Sequence, residues 1–361
     1  MKILFICNRV DDTLEDRVKR LRNHKAEVSI LYLNEYKLDE NGKLVEFDIV
    51  TKSKLLEHNS KLRKIDKYLK RKKLFSYLDY YDIIDIYKCE SSVSIFADKI
   101  SSLCYDYFIT PSNEEEDLPF VKKSALKKLF KNARFLIFES LNDLESCQYT
   151  TEENAKFIGI PTPSLDILDS IKKEDIISAS KAMGLNLTHD NVYCDLSGDI
   201  EDQLNLIDDI TMIKINILKN TTFIFELKEH DLNERNAIKE LLQKKNFDYL
   251  LIEHLLNKKQ RAVIFALTNK TIVQNYSREN PTLAYSMYLQ NLIYLYGDAN
   301  LDKIFYQDRF YFKKFDQFAK DFQVELSTIE KDLIKQNHQR AVTLFDPQKS
   351  VEKYIEAIKS I

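Results

Sequence analysis

Three features of the sequence predict an α/β protein of two doubly wound, Rossmann-like lobes. At 361 residues the chain is too long for one ordinary core and fits two domains of about 150–190 residues each. Apolar runs of four to eight residues alternate with helical patterns from end to end, the signature of βαβ units and of parallel sheets covered on both faces. A proline cluster, Pro161-Thr162-Pro163, follows the last apolar run of the first half and marks a hinge. The expected division is 1–160, 161–345 and a terminal helix, 346–361, that packs back on the first lobe.

The strands expected in the first half are Lys2–Cys7, Val28–Leu33, Ile83–Tyr87, Tyr107–Thr110, Phe135–Phe138 and Lys156–Ile160, with a helix from Leu14 to Arg22 after the first. Those in the second half are Asn191–Leu196, Thr222–Leu227, Tyr249–Glu253, Thr271–Asn275 and Leu292–Tyr296, with a helix from Asn233 to Lys244. From Val324 onward the pattern is helical, and Val351, Tyr354, Ile355 and Ile358 share one face of the final piece. Thr271 to Gly297 is the most informative stretch, because it holds a strand, a polar loop, a helix opened by Pro281 and a second strand. Such a loop presents backbone N–H groups and Arg278 at a helix N-terminus, an arrangement suited to a nucleotide diphosphate, and equally readable as a solvated loop.

Composition narrows the function classes. With 44% hydrophobic and 31% charged residues and no run of about 18 apolar residues, neither disorder nor a spanning segment is expected. The opening MKILFICNRV turns polar too soon for a signal peptide, so a cytoplasmic protein is expected. The five cysteines lack C-x-x-C spacing and read as reduced thiols. A net charge of −3 does not favour nucleic acid. Only five glycines occur, so no G-x-G-x-x-G and no Walker-type loop can be written, and the six histidines show no metal or triad spacing. No metal and no cofactor is expected.

Several stretches carry a family resemblance: MKILFIC with its following helix, YYDIIDIYK, YDYFITPSNEEEDL, KKLFKNARFLIFES, AKFIGIPTPSLDIL and DYLLIEHLLNKKQRAVIFALTNKTIVQNYSRENPTLAYSM. In order and length they resemble the GT-B glycosyltransferases, and among them the retaining family four (glycosyl transferases group 1), over nearly the whole chain. The resemblance implies an acceptor lobe, a donor lobe, a nucleotide-sugar substrate and metal-independent transfer to a glycan or lipid-linked acceptor. In that family two acidic residues eight apart flank the donor loop. Here the first position falls on Arg278 or Glu279 and the second on Ser286 or Met287. The family's basic pair is replaced by Ser197-Gly198-Asp199. A catalytically degenerate GT-B binding or partner subunit is therefore the alternative, and a nucleotide-sugar epimerase of the same fold a third class.

Transfer from a nucleotide sugar needs a positive or hydrogen-bonding cradle for the departing diphosphate, since negative charge builds there. The residues expected to supply it are Arg278, with a planar fork for phosphate, and Lys228 at the carboxyl end of a strand. Glu279 joins Arg278 as the expected catalytic pair. Ser277, Asn280, Thr282 and Ser286, with Glu253 and His254 at another strand end, are the expected donor-binding set, and helix capping is an equally ordinary role for several of them. On the acceptor side the strand ends carry Asn8, Arg9, Thr110, Ser112 and Asn113. Separately, ten of the residues from Lys52 to Lys73 are basic, with Leu55, Leu62, Ile65 and Leu69 near helical spacing. That stretch reads either as a surface helix attracted to anionic lipid, at the inner face of a membrane, or as a plain solvated helix.

Overall fold

The computed structural model describes residues 1–8, 10–32, 37–40, 43–46, 78–89, 100, 107–112, 120–163, 165–227, 232–253, 256–275, 281–297, 299, 301–315, 322 and 326–360. The chain divides into two compact units, Met1–Pro163 with Pro347–Ile361, and Ser164–Asp346.

Unit 1 runs β1 (Lys2–Cys7), α1 (Asp12–Asn23), β2 (Glu27–Tyr32), β3 (Lys37–Glu40), β4 (Lys43–Glu46), β5 (Ile83–Tyr87), β6 (Tyr107–Thr110), α2 (Phe120–Asn132), β7 (Phe135–Phe138), α3 (Leu141–Ser146) and β8 (Ala155–Phe157). Among the described residues these strands form one sheet in the order β4-β3-β2-β1-β5-β6-β7-β8. From β2 to β8 the pairing is parallel, whereas β3 and β4 extend the edge antiparallel. Alternate residues of β1 point to opposite faces: Ile3, Phe5 and Cys7 pack with Leu14, Val18 and Leu21 of α1, while Leu4 and Ile6 join Leu129 and Phe130 of α2. The start of α1 is fixed by Asp11, whose carboxylate accepts from the Leu14 backbone N–H at 2.8 Å. The chain leaves β1 for β2 on one side and returns to β5 on the other, so the topological switch point lies between β1 and β5.

Unit 2 opens with a 3₁₀ turn, Leu165–Ser170, and continues α4 (Lys173–Met183), β9 (Asp190–Cys194), α5 (Ile200–Ile210), α6 (Ile215–Leu218), β10 (Thr221–Glu226), α7 (Leu232–Gln243), β11 (Asp248–Ile252), α8 (Lys258–Leu267), β12 (Lys270–Val273), α9 (Thr282–Tyr288), β13 (Leu292–Tyr296), α10 (Lys303–Gln307), β14 (Lys313–Phe315) and α11 (Thr328–Leu344). Its strands pair in parallel in the order β11-β10-β9-β12-β13-β14, which puts the switch point between β9 and β12. Gly184 ends α4 with φ 68°, a left-handed cap that only glycine adopts at little cost. The chain then returns to unit 1 as α12 (Pro347–Lys359).

Val351, Tyr354, Ala357 and Ile358 of α12 are buried in the same core as Phe5, Phe108 and Ile137. The Tyr354 ring stacks on Phe5 at 6.0 Å and meets Phe108 edge-on at 5.9 Å. Burial of the larger of these side chains is worth roughly 1.5–3 kcal/mol each.

The two doubly wound sheets confirm the α/β fold class. Three strands were not expected: β3 and β4, whose KLDE and KLVE sequences are charged, and the three-residue β14. Pro281 takes the position before the first helical residue of α9 instead of that residue itself. Among the described residues no helix is long and apolar enough to cross a membrane.

Candidate functional site

In unit 1 the carboxyl ends of β1, β5, β6 and β7 converge on a cluster of polar side chains of which only Thr110 was among the expected site residues. Asp85, fully buried in β5, accepts from the Tyr354 hydroxyl at 2.7 Å and from the Thr110 hydroxyl at 3.2 Å. Arg17, projecting from α1, pairs with Glu139 just beyond β7, and both side chains are almost wholly buried. The Arg17 guanidinium carbon lies 5.5 Å from the centres of both the Tyr87 and the Tyr354 rings, so aromatic faces complete its shell. Lys88 ends the network nearer solvent, 2.8 Å from Asp11 and 3.6 Å from Glu139, and the Tyr87 hydroxyl donates to Asp11 at 3.1 Å.

Electrostatics separate these carboxyl groups. Burial raises the Asp85 pKa to about 6, against the pull of Tyr354, Arg17 and Thr110. Asp11 also feels burial as its largest influence, but the Lys88 charge and the bonds from Lys88, Leu14 and Tyr87 outweigh it and hold its pKa below the usual range. Burial likewise pushes the Cys7 thiol up to about 12, which makes it an inert core thiol.

In unit 2 the switch point carries a braced turn. After β9, Asp195 accepts from the Ser197 hydroxyl at 3.0 Å, and the Gly198 N–H donates to the Gln274 side chain at 3.1 Å. Gln274 in turn donates to the Asp202 carbonyl at 2.9 Å, and Gln203 to the Gly198 carbonyl at 2.7 Å. A Cβ on Gly198 would stand 3.0 Å from the Gln274 oxygen and 3.2 Å from the Asp202 Cβ, so a larger residue there would require Gln274 or Asp202 to shift by a few tenths of an ångström. Asp199 caps α5, whose first turn adds Glu201 and Asp202. Among the described residues that end of the sheet is therefore acidic, and a diphosphate would need its cations from elsewhere.

The helix α9 is tied to the rest of unit 2 by side-chain bonds along its length. Ser286 is fully buried on α9, its hydroxyl 2.7 Å from that of Thr271, and Thr282 is buried in the first turn of the same helix. The Tyr288 hydroxyl reaches Asp169 at 2.7 Å, and Asn291 donates to Thr268 at 2.9 Å. Glu253 follows the edge strand β11, half exposed and paired with Lys239. Two strands separate β11 from β12, roughly 14 Å at ordinary strand spacing, so Glu253 is not brought beside Thr282 and Ser286. Arg278, Glu279, Ser277, Asn280, Lys228 and His254 lie outside the described residues.

Of the residues expected on the acceptor side, Asn8, Thr110 and Ser112 follow or end the neighbouring strands β1 and β6 that flank β5. Asn8 and Ser112 are half-buried; Thr110 is buried, and its hydroxyl is committed to Asp85. Arg9 and Asn113 lie outside the described residues, as do all of Lys52–Lys73. Among the described residues no group of three or more His, Cys, Asp or Glu side chains is arranged to hold a metal ion. The members missed from sequence had visible local signals: Asp85 interrupts an apolar run, and Lys88 and Glu139 each directly follow one.

No protein-family model and no curated protein matches the sequence at a significant level. Solved structures do match over the full length. A glycosyltransferase from Rickettsia africae superposes with a TM-score of 0.70 at 12% identity, covering 99% of this chain and 98% of that one. The chain has the GT-B fold. Sucrose-phosphate synthase from Thermosynechococcus elongatus gives a TM-score of 0.66 at 13% identity, covering 100% of this chain and 98% of its own. Anabaena HepE in complex with UDP gives 0.66 at 13% identity with both chains fully covered. At such identities the likeness establishes the GT-B architecture and leaves activity to be argued from residues.

Proposed function

We propose that this protein is a glycosyltransferase that moves a sugar from a nucleotide-sugar donor to a glycan or lipid-linked acceptor, in the synthesis of a bacterial surface polysaccharide or glycoconjugate. The reading rests above all on the full-length correspondence with a GT-B structure solved with UDP. In this reading unit 2 takes the donor, with Arg278 and Lys228 neutralising the departing diphosphate and Glu279 orienting the sugar. In the same reading Ser277 and Asn280, which precede α9 in the sequence, and Thr282, which opens it, contact the donor, with Glu253 and His254 at the nucleoside side. No metal or other cofactor takes part. Unit 1 takes the acceptor through Asn8, Arg9, Thr110, Ser112 and Asn113.

Arg278→Ala is expected to weaken binding of a nucleotide sugar by at least about tenfold, with the melting temperature unchanged, because a fork of charge-assisted hydrogen bonds is lost. Calorimetric titration with UDP-glucose measures it, and equal affinity in the variant removes Arg278 from the site.

Ser286 favours the second reading, a catalytically degenerate partner subunit. It is, with Met287, one of the two positions where the resemblance expects a ribose-binding carboxylate, and its hydroxyl is fully buried against Thr271. A thermal-shift screen of nucleoside diphosphates and their sugars separates the two. Stabilisation by one nucleotide series supports transfer; a flat screen supports the partner role.

The protein works at the inner face of a membrane in this proposal, through Lys52–Lys73. Reversing the charges of Lys70, Arg71, Lys72 and Lys73 is expected to abolish flotation with anionic liposomes, each basic residue contributing about 1 kcal/mol at such a surface. Undiminished flotation of the variant rejects the membrane role.

A further inference from the structure

We propose that Lys88 is a ligand-binding cation of unit 1, and that the group it takes is uncharged carbohydrate oxygen rather than phosphate. The inference rests on the glycosyl-transfer reading and names the chemistry that unit 1 recognises. Lys88 directly follows β5 at the switch point between β1 and β5, where open α/β sheets receive their ligands. Its backbone is left-handed, with φ 49°, a conformation disfavoured for a residue bearing a Cβ and natural to glycine. A lysine held there keeps its ammonium in one place at the expense of backbone comfort, as strained residues at functional sites do.

The aim of that ammonium is set by groups that are themselves fixed. The Lys88 N–H donates to the Thr110 carbonyl at 2.8 Å. The Nζ atom lies 2.8 Å from Asp11, 3.6 Å from Glu139 and 4.8 Å from the centre of the Tyr87 ring. Asp11 is locked by Leu14 and Tyr87, and Glu139 by Arg17. An ammonium carries three N–H donors. Among the described residues only Asp11 stands at hydrogen-bond length from Nζ, and the side chain is 27% exposed, so donors remain for an oxygen arriving from solution.

Charge then selects the ligand. Among the described residues two cations, Arg17 and Lys88, share this cluster with three carboxyl groups, those of Asp11, Asp85 and Glu139. A phosphate would add negative charge to a cluster that already has its share, and the desolvated carboxylates would repel it. Sugar hydroxyl and ring oxygens accept from an ammonium without that penalty. The neighbouring strand ends add the uncharged amide of Asn8 and hydroxyl of Ser112, groups suited to sugar hydroxyls.

Saturation-transfer NMR on the full chain tests this, with methyl glycosides of glucose, galactose and mannose as probes and inorganic phosphate as competitor. The wild type is expected to bind at least one glycoside, phosphate is expected not to displace it, and Lys88→Met is expected to weaken it about tenfold or more. Lys88→Gly guards against misfolding, since glycine suits the left-handed backbone, and it is expected to lose the glycoside equally while keeping the melting temperature. Wild type that binds no glycoside, variants that bind as well as wild type, or displacement by phosphate would each overturn the proposal. UDP titration in parallel reads the donor side alone, so failure of the transferase reading and failure of the Lys88 assignment give different results.

Discussion

Glu139→Ala is expected to destabilise unit 1 by roughly 3–5 kcal/mol, the cost of leaving a buried charge without its partner. Arg17 is 2% exposed and Glu139 3%, so water cannot take over from the missing carboxylate. The aromatic faces of Tyr87 and Tyr354 already flank the guanidinium, and Arg17 Nη1 has no hydrogen-bond partner among the described residues. The pair itself need not be strongly stabilising, because two charges were desolvated to form it. Replacing both, as Arg17→Met with Glu139→Met, is therefore expected to recover most of the loss. Urea denaturation of the single and double variants measures this; a double variant no more stable than the single one would show that the pair holds unit 1 together in its own right.

The stability of unit 1 should also fall as pH rises through the mildly acidic range, and Asp85 should be the cause. Its folded pKa of about 6 lies above the ordinary aspartate value of about 3.9. Between those values the folded chain binds the proton and the unfolded chain does not, so stability declines with rising pH across that window and is level with respect to this group above it. A gap of that size between folded and unfolded states corresponds to roughly 2–3 kcal/mol. Asp85→Asn keeps the shape, an acceptor for Tyr354 and a donor for Thr110, and cannot ionise. The difference in stability between wild type and this variant should thus move by roughly that amount, in favour of the variant, from about pH 4 to pH 7. Taking the difference cancels carboxylates such as Asp11, whose lowered pKa gives the opposite slope. Parallel stability curves for the two proteins would assign the proton to another group.

These two effects were hidden from sequence for a physical reason. Strands such as Ile83–Tyr87, Phe135–Phe138 and Leu292–Tyr296 were legible, because a parallel strand covered on both faces is a near-continuous apolar run, which Asp85 alone interrupts in these three. β3, β4 and β14 were not, because short strands at or next to a sheet edge carry charges that look like loop. The polar cluster is assembled by pairings far apart in the chain: Arg17 and Glu139 are 122 residues apart, Tyr354 and Asp85 269. Local pattern identifies Asp85 as out of place in an apolar run but cannot say which tyrosine satisfies it. In unit 2, sequence located the two strands and the helix within Thr271–Gly297, while the burial of Ser286 against Thr271 depends on how α9 lies on the sheet.

The docking of Tyr354 beneath the β5 carboxyl end also fixes an order of events in the cell. The residues of unit 2 form one continuous stretch, whereas unit 1 needs a helix encoded after all of it. As the chain leaves the ribosome, unit 2 can close first, and unit 1 waits with Asp85 and the aromatic slot of Phe5 and Phe108 unfilled. The half made first is thus the half whose core can be completed only last.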